Sequence, residues 1–343
     1  MKRTLLSVAA IGLSLLFLAA AATDFMSERR RFRDEIKNKT EVKLDSAGKY
    51  SAVIFNSEKG KYNFNVAPAD RDRLKAYLKS YFACNDAALL DRMVNEMNAG
   101  QYVVYKEYSE DGVNLKVVFL SPKAKYWEWL TDVNGIEKMF HVYNFSVGLG
   151  PNDPSGSHVI LQTEGSFYGI SQAVSLPLVF KANAATRNFE FRMPSQADII
   201  KAVARMPAVK PDRTKPEEKF LDACRTHPFF QQKDGSGQYV VTDAEIMKLY
   251  QNTVTNLDGG CPVKESSGHW KIQDDYPYLV VDYSLKTRVN ISALLPKSMN
   301  FMSGAVGGVA QTISDEVSVK YLPLSMKNFR DFTQKWTKSG GPK

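Results

Sequence analysis

The twenty-one residues from Gln101 to Ser121 read QYVVYKEYS, EDG, VNLKVVFLS. Apolar and polar residues alternate on both sides of a short acidic turn ending in Gly112. A period of two places alternate side chains on opposite faces, so this stretch predicts a β-hairpin with one buried face. The same period returns in KMFHVYNFSVGL, HVILQTEGSFYG, VSLPLVFKAN and RNFEFRM, between Lys138 and Met193. Any fold for this chain must pair many antiparallel strands. Upstream, KYSAVIFN and KYNFNV flank the turn signal at Glu58–Gly60.

Helical spacing frames these strands. Leu74, Tyr77, Leu78, Tyr81 and Phe82 recur at three and four residues after Pro68, which suits a first helical turn. A second helix follows, with Asn85 or Asp86 as N-cap, Leu89, Leu90, Met93, Val94 and Met97 on one face, and Gly100 as its stop. SQADIIKAVARM, with Ser195 or Asp198 near its start, predicts a third. MPAVKPDRTKPEEK then places Pro207, Pro211 and Pro216 among charges, the composition of an extended connector.

Beyond the connector, PEEKFLDACRTHPFF predicts a helix cut at His227–Pro228, because the residue before proline avoids helical geometry. Thr242 or Asp243 caps the helix of TDAEIMKLYQNTVTNL. Strands are expected at HWKIQD, YLVVDYSLK, RVNISALL and EVSVKYL, and an amphipathic helix at SMKNFRDFTQKW. The expected class is therefore α+β: two domains, each a mainly antiparallel sheet with helices on one face. The expected boundaries are a leader at 1–22, a basic lead-in at 23–48, a first domain at 49–206, a linker at 207–216 and a second domain at 217–343.

Two echoes raise a diverged duplication as a reading of these halves. GQYVV occurs at Gly100–Val104 and again at Gly237–Val241, each downstream of an Ala-Cys pair, and VNLKVVFLSPK is echoed by VNISALLPK. The competing reading is that Tyr-Val-Val after a glycine turn is simply good strand material.

The first residues, MKRTLLSVAAIGLSLLFLAAAATDF, hold a basic start at Lys2 and Arg3, an apolar core and a run of alanines. That order predicts an exported protein, periplasmic or secreted after cleavage; the alternative is an uncleaved inner-membrane anchor with the domains outside the cytoplasm. Removing Lys2 and Arg3 leaves 43 basic residues against 37 acidic ones, a net charge of +6. Arg29, Arg30, Arg31 and Arg33 form a basic patch suited to anionic headgroups at a membrane surface, or to a solvated lead-in. Dense Lys/Arg clusters interleaved with aromatics are absent, so no nucleic-acid partner is expected.

Chemistry is sparse. His141, His158, His227 and His269 stand outside metal-ligand spacings, and neither a Gly-x-Ser-x-Gly elbow nor a P-loop occurs, so no cofactor, metal or catalytic motif is expected. Cys84 with His141 or His158 as base is the weaker thiol-nucleophile reading; a small buried residue or a disulfide partner is the plainer one. Cys224 and Cys261 are the expected disulfide pair for an oxidising compartment. Tyr126, Trp127 and Trp129 in KAKYWEWL, Asn152 and Asp153 in the loop GLGPNDPSGS, and Tyr276 and Tyr278 in DDYPYL are candidates for an exposed contact surface. His269, beside Trp270 at the start of an expected strand, reads as a packing residue. The expected function is noncatalytic binding of a protein or small-ligand partner in the cell envelope. The alternatives are an exported hydrolase whose site is assembled from separated residues, and a membrane-anchored periplasmic module of a larger complex.

Overall fold

A computed structural model describes residues 40–44, 50–55, 60–109, 112–123, 126–127, 131, 144–150, 156–167, 170–289 and 326–331. Its strands are β1 (Thr40–Leu44), β2 (Tyr50–Phe55), β3 (Tyr102–Ser109), β4 (Gly112–Ser121), β5 (Phe145–Gly148), β6 (Ser157–Phe167), β7 (Ile170–Asn183), β8 (Asn188–Arg192), β9 (Val263–Gln273) and β10 (Leu279–Val289). They form one ten-stranded sheet in the order β1-β2-β3-β4-β10-β9-β8-β7-β6-β5, antiparallel at every pairing. The expected α+β class and the antiparallel pairing hold.

The expected pair of separate sheets is instead a single sheet. β4 and β10 align over ten positions, from Gly112 opposite Arg288 to Ser121 opposite Leu279. β9 closes the other side by pairing with β8 over Asn188–Arg192. Two strands from beyond the Pro-rich connector thus fill the gap between two groups of strands from before it. Sequence order hides this, because the β4–β10 partners lie more than 150 residues apart and the β8–β9 partners at least 75. The connector at 207–216 is described and largely exposed, as its prolines and charges dictate.

The helices are α1 (Pro68–Phe82), α2 (Ala87–Asn98), α3 (Gln196–Ala204), α4 (Pro216–Thr226), α5 (Pro228–Gln231), α6 (Asp243–Tyr250) and α7 (Leu257–Gly260), with a π-helical turn at Gln251–Thr255 and a helix, α8, at 326–331. Their ends follow local chemistry. The Asp86 side chain accepts from the Leu89 N–H at 3.0 Å, the Ser195 hydroxyl accepts from the Asp198 N–H at 3.1 Å, and Thr242 and Glu245 form a capping box. α4 ends before Pro228, where His227 Nδ1 accepts from the Phe229 N–H at 3.2 Å and opens α5. Among the described residues no helix is long and apolar enough to cross a membrane.

The pairing registers assign each side chain to one of two faces. One face is apolar across almost the whole sheet. Tyr102, Val117, Phe119, Val159, Leu178, Phe180, Phe189, Phe191, Trp270, Ile272 and Val281 join Met326 and Phe329 of α8 in one buried cluster. Arg330 of α8 is fully buried beside that cluster. Its guanidinium donates to Leu120 O at 2.8 and 2.6 Å and to Gly100 O at 2.6 Å, and lies 4.4 Å from the Tyr102 ring centre.

The second face is divided. At one end Val103, Val118, Leu120 and Val280 pack under α1 and α2. At the other, Phe145, Val147 and Ile160 pack under α3, α4 and the helices that follow. Each cluster removes a dozen or more apolar side chains from water, at about 1.5 to 3 kcal/mol apiece before entropy is counted.

The GQYVV echo does not produce equivalent structures. In β3 Tyr102, Val103 and Val104 are buried within the sheet, whereas Tyr239 and Val240 stand 43% and 56% exposed in a tight turn. There the Asp234 carboxylate accepts from the Ser236 and Gln238 N–H groups, and one isolated bridge joins Lys233 to Tyr239. The turn chemistry of Asp234–Gly237 overrides strand propensity where no neighbouring strand is available. Of the second echo, VNISALLPK, all but Val289 lies outside the described residues, as do the leader at 1–22, His141 and EVSVKYL.

Gly268 sits where β9 is squeezed between β8 and β10. A Cβ at this position would meet Ser284 O at 1.9 Å and Phe191 Cζ at 2.6 Å. We therefore expect Gly268→Ala to destabilise the protein by at least about 2 kcal/mol, because neither the β10 backbone nor the Phe191 ring can yield freely. A shift of the urea-unfolding midpoint checks this; an unchanged midpoint would show that the close approach is absent.

Candidate functional site

Between the two helical layers, the second face of the sheet is polar. From β10 come Asp282, Ser284 and Lys286; from β9, Lys271, His269 and Ser267; from β8, Asn188, Glu190 and Arg192; from β7, Lys181. The registers join them directly: Ser284 opposes His269, Asp282 opposes Lys271, His269 opposes Glu190, and Glu190 opposes Lys181. Four strand spacings separate β10 from β6, so the trough is about 19 Å wide at the backbone. α1 forms one bank and α3 the other.

The trough is predominantly cationic. Lys116 of β4, Lys181, Lys271, Lys286 and Arg192 outnumber Glu190, Glu265 and the buried Asp282, and Lys286 spends its charge on Glu265 at 2.6 Å. Lys181, Lys271, Glu190 and Arg192 are exposed, so the basin opens to solvent.

Beside the α1 bank lies a chain of hydrogen bonds that is unusual for a solvated sheet face. Asp282 is 1% exposed. Its Oδ1 lies 2.7 Å from His269 Nε2, and its Oδ2 accepts from the Tyr77 hydroxyl. The opposite nitrogen of the ring, Nδ1, lies 2.8 Å from Ser284 Oγ. A carboxylate accepts and does not donate, so it draws the proton to Nε2. In the neutral imidazole Nδ1 is then the acceptor, and the Ser284 hydroxyl donates to it.

Tyr81 completes the bank. Its hydroxyl donates to Tyr283 O at 3.1 Å, and its ring stands edge-on to His269 at 6.4 Å. Burial and the neighbouring Asp282 charge push the phenols of Tyr77 and Tyr81 well above their ordinary range, so both stay protonated as donors. The sequence puts these groups together by two periods: Tyr77 and Tyr81 are one helical turn apart, and Asp282 and Ser284 are two strand residues apart.

The other bank holds His158 of β6. Burial lowers its pKa, with Arg192 acting in the same direction and Asp198 against it. A histidine with a depressed folded pKa stays neutral in the folded protein while the unfolded chain takes up protons. Its contribution is complete above the unfolded value of about 6.5 and is lost as pH falls below it. We expect His158→Gln to reduce the loss of melting temperature between pH 7 and pH 5. An identical pH slope in the variant would contradict this assignment.

Most of the sequence-derived candidates lie elsewhere. Tyr126, Tyr276 and Tyr278 are 4%, 5% and 3% exposed. Tyr126 belongs to the apolar face and Tyr276 and Tyr278 to the α1–α2 cluster, so these three rings are core rather than an exposed contact surface. Tyr276 and Tyr278 stack at 5.5 Å, and Arg73 covers Tyr276 at 4.2 Å. Trp127 is half-buried, with the Arg187 guanidinium 5.5 Å from its ring centre. Trp129, Asn152, Asp153, Arg29, Arg30, Arg31 and Arg33 lie outside the described residues.

Cys224 and Cys261 are buried as free thiols in the same apolar cluster. Burial pushes them up to about 12 and about 11, so neither is a ready thiolate. Cys84 follows α1 and is half-buried, its Sγ 4.0 Å from Asp86 O. Among the described residues no group of three or more His, Cys, Asp or Glu could hold a metal ion.

His269 was expected to pack; the structure makes it the centre of a relay. Alternation in HWKIQD and YLVVDYSLK already fixes a face of its own strand for His269 and a shared face of the next strand for Asp282 and Ser284. The missing piece was the β9–β10 register.

The fold and site together define an α+β protein with a single antiparallel sheet, apolar on one side and carrying a cationic trough with an Asp-His-Ser relay on the other. No protein-family model and no curated protein matches the sequence. Solved structures similar to this chain include a Thermus thermophilus protein at 6% identity and a TM-score of 0.33, covering 65% of this chain and 96% of that one. The Zhui aromatase/cyclase of a Streptomyces species is similar at 12% identity and a TM-score of 0.32, covering 67% of this chain and 98% of that one. A STAR-related lipid transfer protein fragment from Xanthomonas axonopodis is similar at 12% identity and a TM-score of 0.34, covering 68% and 93%. Likenesses at this level leave the function to the chain's own geometry.

Proposed function

We propose that this is an exported protein of the cell envelope that binds an anionic ligand, or an acidic segment of a partner, in the trough between α1 and α3. The observation that carries the reading is the charge imbalance on a solvent-open basin. Lys181 and Lys271 carry their charge on this face from β7 and β9, and β8 between them adds Arg192 as well as Glu190, which opposes Lys181. A basin with one dominant sign concentrates counter-charged ligands and speeds their arrival. The leader at 1–22 supports export, and the Ala run supports cleavage over a retained anchor.

The trough also has the dimensions for an extended occupant. A strand-like acidic peptide laid across β7 to β10 would meet a cation at almost every strand. The stabilising geometry of the floor does not depend on these side chains, since the apolar clusters lie under the banks and on the far face. Charge reversal is therefore a clean probe.

Calorimetric titration with a hexaglutamate peptide tests the reading. The wild-type chain is expected to bind with an affinity that falls as salt is raised. Lys181→Glu with Lys271→Glu is expected to weaken binding by at least about tenfold, or 1.4 kcal/mol, without changing the melting temperature by more than a few degrees. Absence of binding by the wild-type protein at low salt, or equal binding by the reversed variant, would remove the trough from consideration.

A further inference from the structure

We propose that Ser284 is a nucleophile, activated by His269 and Asp282, that cleaves acyl esters entering the trough. This goes beyond ligand binding, and its catalytic groups are different residues from the cations that carry the binding reading.

Three observations support it. First, the hydrogen bonds form an unbroken chain from Ser284 Oγ through both ring nitrogens of His269 to Asp282, at 2.8 and 2.7 Å. A hydroxyl is a poor nucleophile until a base takes its proton, and the base works best when a third group holds its tautomer and balances its charge. The ring is used in the sense Nδ1 to serine and Nε2 to aspartate, and either nitrogen can serve as the base once the other is committed. Second, the burial is graded. Asp282 is 1% exposed while the His269 side chain is 31% exposed, and Ser284 is only half-buried. A packing histidine would not need a buried carboxylate at one nitrogen and a solvent-reachable hydroxyl at the other. Third, Tyr77 holds the second oxygen of Asp282, so the carboxylate cannot rotate away from the ring.

The reaction balances without a cofactor. Ser284 Oγ attacks the acyl carbon as its proton passes to His269 Nδ1, and the imidazolium is held against the Asp282 carboxylate. The acyl–oxygen bond then breaks, and His269 Nδ1–H protonates the departing alkoxide, which leaves as the alcohol. A water molecule attacks the acyl-Ser284 carbon, giving its proton to Nδ1. The carboxylic acid leaves as Ser284 recovers that proton. The sum is ester plus water giving acid plus alcohol.

Lys116 opposes Ser284 on β4, and its ammonium donates to Tyr81 O at 3.0 Å. Directly opposed residues in an antiparallel pair bring their Cβ atoms to about 5 Å, so the register sets a cationic side chain beside Ser284, the type of group that stabilises a developing oxyanion. With Lys271 opposite Asp282, the surroundings favour esters whose acyl part carries a negative charge. Ser284 and His269 are the catalytic residues; Asp282 and Tyr77 are positioning residues.

The test is covalent labelling of the full chain with a fluorophosphonate, followed by intact mass and peptide mapping, together with turnover of p-nitrophenyl acetate. We expect a single adduct on Ser284. Ser284→Ala should lose it, and His269→Asn should slow labelling by about 100-fold or more. Asp282→Asn should lower the rate and change the pH profile of labelling, which a merely structural carboxylate would leave unmoved. Should Asp282→Asn fail to fold, Ser284→Ala decides, since it removes one hydroxyl from a half-buried position. An unlabelled wild-type chain would overturn the proposal. So would labelling confined to other residues, or equal labelling of the His269→Asn variant. Hexaglutamate binding is unaffected by any of these results, so the two readings fail separately.

Discussion

The pairing of β4 with β10 is the constraint on which the rest depends. Ten aligned positions, Gly112–Ser121 against Arg288–Leu279, join strands from either side of the Pro-rich connector into one sheet. The pairing assigns Val280, Asp282, Ser284 and Lys286 to one face and Val281 with Tyr283 to the other. Shifting it by one residue would send Asp282 into the apolar cluster and Val281 into the trough. Both changes are costly, since a buried carboxylate without partners and an exposed core valine each oppose folding. The core and the polar site are therefore set by the same register.

The polar site in turn depends on a helix. α1 is anchored by Leu74, Leu78 and Phe82 in the α1–α2 cluster, and the same turns direct Tyr77 and Tyr81 at β10. Asp282 can be 1% exposed because both its oxygens find donors, one on α1 and one on β9. A polar group buried under a helix bank, and wired to a histidine that reaches solvent, joins packing to chemistry in a few residues. The opposite bank handles His158 differently: burial lowers its pKa and so favours the neutral ring.

Much of the local structure was legible from the residues. Pro68, Asp86, Ser195, Thr242 and the His227–Pro228 break mark helix ends through short-range hydrogen bonds and fixed dihedrals, which a sequence states directly. The strands of the hairpin at Gln101–Ser121 were equally plain. What could not be read was which distant strands pair, because Leu115 opposite Leu285 and Lys116 opposite Ser284 look the same as any other alternation. That gap led to two sheets where there is one. It also hid the site, whose three members come from two strands and whose neighbouring tyrosines, Tyr77 and Tyr81, come from a helix some 200 residues away. The aromatic pairs at Tyr126 and Tyr276–Tyr278 erred the other way: amphipathic rings suit a surface or a core, and here the surrounding apolar area decides for the core.

The central claim is that register and burial bring His269 into a committed tautomer between Asp282 and Ser284. Nitrogen-15 NMR of the histidine ring reads this directly. The account predicts that the neutral ring of His269 carries its proton on Nε2, with Nδ1 as a hydrogen-bonded acceptor, and that Asp282→Asn removes the preference. A ring protonated on Nδ1, or one averaging between tautomers as a free imidazole does and indifferent to Asp282→Asn, would contradict it.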